Sequence, residues 1–489
     1  MVLYNKSYLV FRRNGSLVFA DLFFLFFFLP LCLIFYFFAK KLSTKNIILI
    51  VFSLIFYAWG EPIWVILLVF SAAFNWFLGL QIGRFREQTT GKLLVAAALV
   101  VDIGLLFVFK YTGFFVTTIN SIFGASIPVP TITLPIGISF FTFQAISYVV
   151  DCYWETVEPQ KKFHHFLLYL SLFPQLIAGP IVRYSVIEQE ITNRRTTPED
   201  MYEGIVRIVV GLTKKVLIAN NLWTIVNTFF GTDISSLSTL GTWYTVIVYS
   251  MYVYFDFSGY SDMAIGMGRL FGFHFDENFT HPFMCSTIAE FWQRWHISLG
   301  SFFRDYLLYV PIFGKRRKYF GLFLVWFCTG MWHGASWNFI LWGLYYGFWI
   351  FFEQKLGKKK MKAWPTWWKH IYTKLIIMVG FGIFYFEDFG QLGQFFLNIT
   401  GINLIVNHTA FADPLTWSSF VGNIFLIIIA IILCMPLREK VTEYFTRVKD
   451  HNIFKTYKVA QMIGCMLLLA VCAILLVDAT NNPFLYWRF

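Results

Sequence analysis

Apolar runs separated by short polar loops repeat along the whole chain. They fall at about 20–39, 46–59, 63–82, 92–109, 134–150, 165–180, 203–229, 241–258, 260–272, 286–310, 319–332, 337–354, 375–389, 419–436 and 457–478. A helix needs ~20 mostly apolar residues to cross a bilayer. The pattern predicts an all-α polytopic membrane protein of roughly 11–13 helices. Two runs are interrupted: Pro135 and Gly137 break one, and Pro174, Gly179 and Pro180 break another. Such backbone is tolerated at membrane depth only when it is buried in protein or lines a polar cavity. Re-entrant helices are therefore expected near 134–150 and 166–182.

Polar positions set the orientation. Basic residues gather at Lys40, Lys41 and Lys45; at Arg84, Arg86 and Lys92; at Lys315 to Lys318; between Lys355 and Lys374; and between Arg438 and Lys458. Under the positive-inside rule these loops are cytoplasmic. Hairpins then follow at 46–82 and 319–354, and the 390–418 loop and the C-terminus lie outside. Arg12 and Arg13 precede an apolar run from Leu22 to Ala39, which resembles a signal peptide. Lys40 and Lys41 follow it instead of a small-residue cleavage site, so it reads as an uncleaved first span. Residues 1–16 read as an N-terminal extension and 17–489 as a single transmembrane domain.

Composition agrees. Only 13% of residues are charged and mean hydropathy is +0.62. A soluble domain carries about 25% charged residues. The net charge of +12 lies in loops between apolar runs, which disfavours a nucleic-acid partner. The seven cysteines form no CxxC pair and read as small hydrophobes, neither a disulfide frame nor a metal site. No internal repeat is visible, which removes the main sequence support for an inverted-repeat transporter with histidine proton relays.

Candidate chemistry centres on two histidines. His333 lies between Gly330 and Gly334, with Trp332 and Trp337 as walls and Ser336 and Asn338 as hydrogen-bond partners. An imidazole at membrane depth is a functional hypothesis, and it suits a general base. The competing reading is a histidine bonded to a carbonyl in a helix interface. His296 follows Glu290 and Arg294, an i, i+4 pair on a helix, and precedes Arg304 and Asp305. Its alternative is a charged interfacial helix. Asp256 and Asp262 sit in an apolar region and need partners, for which Arg269, Arg294 and Arg304 are candidates. A structural or pocket-lining network is favoured over a metal. His164 and His165 read as a solvated cluster, and His274, His281, His370, His408 and His451 as loop residues.

Several strings carry a resemblance. They are FYAWGEP at 56–62, LPIGISFFTFQ at 134–144, QLIAGPI at 175–181, DFSGYSD at 256–262, the stretch from Glu290 to Asp305, WHG at 332–334 and NPFLYWRF at 482–489. Together they resemble the bacterial membrane-bound O-acyltransferase family, most of all its alginate O-acetylation branch, from about Leu17 onward. The stretch His281 to Met284 departs from relatives, which often have a more polar residue before the proline and Tyr after it.

The resemblance implies a ring of helices around a thinned centre with a tunnel between the membrane faces. It implies that His333 is catalytic and His296 the second active-site histidine; Trp332, Asn338, Asp256, Arg294, Arg304 and Asp305, from the residue reading above, are the expected pocket or supporting residues. It implies no bound cofactor, acetyl-coenzyme A as a cytoplasmic donor, and a separate extracytoplasmic esterase-like transferase as partner. The expected product is an O-acetylated extracytoplasmic polysaccharide, alginate-like or peptidoglycan, with D-alanyl transfer to teichoic acid as an alternative. The tail Pro483 to Phe489 reads either as an interfacial anchor or as carrying Tyr486 as a covalent acyl carrier.

Overall fold

The computed structural model describes residues 17–177, 179–308, 318–447 and 451–477. The extension 1–16 and the tail with Tyr486 lie outside the described residues. Helices dominate, and among the described residues one antiparallel bridge pairs Phe279 with Trp295. Two compact units are present. The first runs to Ile208 and adds Tyr260–Asp276; the second comprises Val209–Gly259 and the chain from Glu277 onward.

In the first unit, Phe24–Phe38 opens as a π-turn, Phe24–Phe28, just before Pro30. Proline offers no N–H to the preceding turn, which widens to keep its other bonds. Leu42–Gly60 ends at Glu61, because Pro62 disfavours helical geometry in the residue before it. Val65–Phe85 and Thr89–Phe123 form a hairpin. Across it, Asn75 Nδ2 donates to Asp102 Oδ1 at 3.0 Å, and both residues are buried. Thr89–Phe123 stops at Gly124, and an extended segment turns back beside it. Asn120 clasps Ile127 there, donating to its carbonyl at 2.8 Å and accepting from its N–H at 3.0 Å.

The two broken runs become short buried helices. Ile138–Tyr153 starts after Gly137, whose φ is 75°. A Cβ on Gly137 would lie 2.6 Å from the Leu176 carbonyl oxygen, so both the conformation and the space require glycine there. The second run splits into Phe163–Ser171 and Phe173–Leu176 around Leu172.

In the second unit, Lys318–His333 and Trp337–Ala363 form a tight hairpin. Gly330, three residues before His333, lies inside a regular helix, and close packing is its role: a Cβ there would lie 2.3 Å from the Phe339 carbonyl.

Other boundaries also differ. The runs 241–258 and 260–272 are one helix, Thr239–Leu270. Gly259 packs within it, where a Cβ would meet the Gly211 carbonyl at 2.7 Å. The run 286–310 is two short helices, Ile288–Arg294 and Ile297–Tyr306.

Among the described residues, four helices are long and apolar enough to span a membrane: Leu42–Gly60, Val65–Phe85, Thr89–Phe123 and Ile453–Val477. Pro414–Gly422 and Ile424–Leu433, bent by 61°, make a fifth when taken together. Among the described residues, the remaining apolar runs fold as shorter, interrupted or more polar helices, in keeping with an all-α polytopic fold.

Candidate functional site

His296 is the hinge between the two short helices, in the second unit. Its backbone is left-handed, with φ 45° and ψ 54°. A non-glycine residue in that region is strained and persists only where its surroundings over-determine it. Hydrogen bonds on both sides do this: Thr280 N–H donates to the Arg294 carbonyl and Ile297 N–H to the Asn278 carbonyl, each at 3.0 Å.

The Asn278 side chain sets the tautomer. It is fully buried, and its Oδ1 accepts from Ser298 N–H at 3.2 Å and from Ser298 Oγ–H at 2.9 Å. The backbone N–H can only donate, so the atom facing it is the amide oxygen. His296 Nδ1 lies 3.1 Å from that oxygen and must carry the proton. A neutral ring then keeps its lone pair on Nε2.

The ring sits among aromatics. Phe257 meets it edge-on at 4.7 Å and Trp332 at 5.6 Å between centroids.

His333 is the last residue of Lys318–His333 and is buried. Among the described residues, three rings pack against it: Trp342 at 4.8 Å, Trp332 at 5.0 Å and Phe384 at 5.3 Å. Trp332 therefore touches both imidazoles. Their centroids lie at most about 10.6 Å apart, the sum of their separations from Trp332. Trp337, expected as a wall, is about half exposed, and Trp342 and Phe384 wall His333 in addition to Trp332. Asn338 is buried and donates through Nδ2 to the Ile383 carbonyl at 3.3 Å, next to the Phe384 wall. Its Oδ1 accepts no hydrogen bond among the described residues.

The charged candidates divide. Asp256 accepts from Lys215 Nζ at 2.6 Å, both groups almost fully buried. Asp262 pairs with Arg207 at 2.9 Å. Neither uses the arginines the sequence suggested, because register between neighbouring helices chose the partners. Arg294 pairs with Glu290 at 2.7 Å, as the i, i+4 spacing predicts. Arg304 and Asp305 pair with each other at 2.7 Å, and the Arg304 side chain is 59% exposed.

The other histidines need three corrections. His165 is buried, not solvated; His370 lies on the helix Thr366–Tyr385, not in a loop; and His451 opens the helix His451–Val477. His274, in a loop of the first unit, faces Glu190 Oε1 at 2.7 Å through Nδ1 and Asp200 Oδ1 at 3.0 Å through Nε2. Burial pushes its pKa down, but the bonds to Asp200 and Glu190 outweigh this and leave it raised.

Three residues escaped the sequence reading. Asn278 is one. Glu353 is the second: it is buried and accepts from Ile288 N–H at 2.7 Å and Ala289 N–H at 3.0 Å. Asp102 is the third. A lone carboxylate inside an apolar run was the available signal for both acids.

Known proteins resemble this chain over most of its length. Residues 160–387, which include both histidines, match the family model for membrane-bound O-acyltransferases. A probable alginate O-acetylase of Pseudomonas aeruginosa is 37% identical over 381 residues, 76% of this chain and 72% of that protein. The peptidoglycan O-acetyltransferase of Helicobacter pylori is 38% identical over 371 residues, 68% of this chain and 70% of that protein. A teichoic acid D-alanyltransferase of Bacillus subtilis is 30% identical over 272 residues, 51% of this chain and 68% of that protein. With its apolar helices and these relatives, the chain belongs to the membrane-bound O-acyltransferase family and is a polytopic membrane acyltransferase.

Proposed function

We propose that the protein takes an acetyl group from acetyl-coenzyme A on the cytoplasmic side and passes it across the membrane for O-acetylation of an extracytoplasmic polysaccharide. The observation that carries this reading is the pair of buried imidazoles packed against Trp332. Aromatic walls limit water, so a thioester held there is spared hydrolysis.

His333 is the general base. It takes the proton of an acceptor hydroxyl as that oxygen attacks the thioester carbonyl. The carbon–oxygen bond forms, the carbon–sulfur bond breaks, and the proton leaves with coenzyme A as its thiol. His296, with Nδ1–H held by Asn278, presents Nε2 to relay or orient. Asn338 and the Lys215–Asp256 pair hold the surrounding helices in register. Arg294, Arg304 and Asp305 act at the margin. The relatives at 37% and 38% identity are named for alginate and for peptidoglycan, and those two glycans are the favoured acceptors.

Tyr486 is the proposed intermediate acyl carrier, handing its ester to a separate esterase-like transferase outside the cell. The protein then sits in the bacterial inner membrane with its C-terminus extracytoplasmic.

The test is His333→Ala, with glycan-linked acetyl esters measured in whole cells and protein level in membranes. Loss of the general base should lower acetylation about 10²–10⁴-fold at normal protein level. Wild-type acetyl content would overturn the assignment, and D-alanyl esters in place of acetyl would replace the donor.

A further inference from the structure

From Gln354 to Phe386 the chain carries seven lysines and no carboxylate. Four of the lysines, Lys358, Lys359, Lys360 and Lys362, crowd into the end of the helix Trp337–Ala363. That end is set off from the rest of the helix at Gly357, whose φ 82° and ψ 151° are not helical. This backbone region is essentially closed to residues with a Cβ. All four lysines are exposed, while Met361 among them is buried and seats the turn. The nearest carboxylate before the turn, Glu353, already accepts from Ile288 and Ala289 N–H groups.

Aromatic residues follow directly. Trp364 packs edge-on against Tyr372 at 5.4 Å. Trp367 and Trp368 lie 5.8 Å apart and are 65% and 44% exposed. Pro365 separates them from the basic turn, and the apolar helix Thr366–Tyr385 continues from them. Exposed tryptophans are poorly placed in water but favoured at the headgroup level of a bilayer. Clustered lysines beside that level attract anionic lipid.

We propose that the turn Lys358–Lys362, with Trp367 and Trp368, is a binding site for the phosphate headgroup of an anionic phospholipid. The lysines supply charge and hydrogen-bond donors to the phosphate, and the indoles lie along the glycerol and upper acyl region. This goes beyond topology signalling: a positive loop needs only to stay on one side, whereas here the basic turn is offset at Gly357 beside an exposed aromatic pair. A soluble phosphate compound would satisfy the lysines but leave the indoles in water, so lipid is the occupant.

The full-length protein, purified in mild detergent, tests this by native mass spectrometry. Micelles contain equal amounts of phosphatidylglycerol and phosphatidylcholine, and retained lipid is counted. Wild-type protein should retain phosphatidylglycerol about tenfold over phosphatidylcholine. The variant K358Q/K359Q/K360Q/K362Q should lose that preference, and the corresponding four-arginine variant should keep it. Replacing Arg84 and Lys92 with Gln, in another basic loop, should leave it unchanged. Equal retention of both lipids by wild type would overturn the proposal, as would an undiminished preference in the Gln variant. Displacement of phosphatidylglycerol by coenzyme A would assign the turn to the soluble donor and overturn it too. If the Gln variant does not fold, a salt titration of wild type replaces it. Preference should then vanish between about 50 mM and about 0.5 M salt, and a salt-independent preference would refute the site.

Discussion

Asn278→Ala is the most informative single change. It keeps both proposed catalytic residues and removes the acceptor that dictates where the His296 proton sits. Three donors converge on Asn278 Oδ1: His296 Nδ1–H at 3.1 Å, Ser298 N–H at 3.2 Å and Ser298 Oγ–H at 2.9 Å. The Ser298 hydroxyl can rotate to another partner. The buried imidazole N–H is then left with its longer contact to Ser298 Oγ at 3.4 Å, and a poorly satisfied buried donor costs up to about 1–3 kcal/mol. Tautomer selection leans on the Asn278 hydrogen bond, worth ~1 kcal/mol, or roughly fivefold in population. Loosening of the strained left-handed hinge adds to this.

Acetyl transfer from acetyl-coenzyme A in isolated membranes should fall about 5- to 100-fold, with KM for the donor little changed. Asn278→Asp supplies a more strongly held acceptor and should preserve the tautomer. Its carboxylate also favours the imidazolium, so the acidic limb of the pH–rate profile should move to higher pH. A structural role alone would lower stability in both variants and leave the profile still. Wild-type turnover by folded Asn278→Ala would refute the reasoning.

Three further outcomes are expected. His274 holds its raised pKa through Asp200 and Glu190, so its contribution to stability is complete below the unfolded value and is lost as pH rises through the folded one. His274→Asn should therefore lower the Tm at pH 5.5 and leave it nearly unchanged at pH 9, by the ~0.2–1 kcal/mol of an exposed pair; an equal loss at both pH values would count against the ion pairs. In a background without native cysteines, Ala410→Cys should react with an impermeant thiol reagent from outside and Lys440→Cys only after the inner face is opened, and the reverse pattern would invert the orientation. Tyr486→Phe keeps an aromatic tail and removes the hydroxyl; it should abolish glycan acetylation, and normal acetylation would make the tail an anchor.

Much of this was legible in the chain because burial in a membrane protein leaves a strong mark. The runs at 46–59 and 63–82 reappear as the helices Leu42–Gly60 and Val65–Phe85 with small shifts at their ends. The Glu290–Arg294 pair is local and follows from helical spacing. What escaped is non-local. Lys215 and Asp256 are 41 positions apart, and only helix packing makes them neighbours. Asn278 is invisible because a lone Asn in a polar loop has no pattern, and its role depends on a hinge at His296 that hydrophobic spacing reads as continuous helix. Gly259 looked like a break between two runs, yet glycine also serves close approach, as at Gly259 and Gly330, and the sequence does not separate the two uses.

The helix Thr89–Phe123 has a mechanical consequence. Its 35 residues make a rod about 52 Å long at ~1.5 Å per residue. The hydrocarbon core is about 30 Å thick, so even a tilted rod outruns the lipid by on the order of 10–20 Å. The exposed chain from Ala125 to Thr133 cannot be bathed in lipid, since its backbone groups are not paired in a helix. It belongs beside the protruding end, where the Asn120–Ile127 clasp ties it down like a stay to a mast. The chain is thus let back toward the bilayer at a fixed point, and Gly137 opens the next helix where solvent exposure gives way to burial.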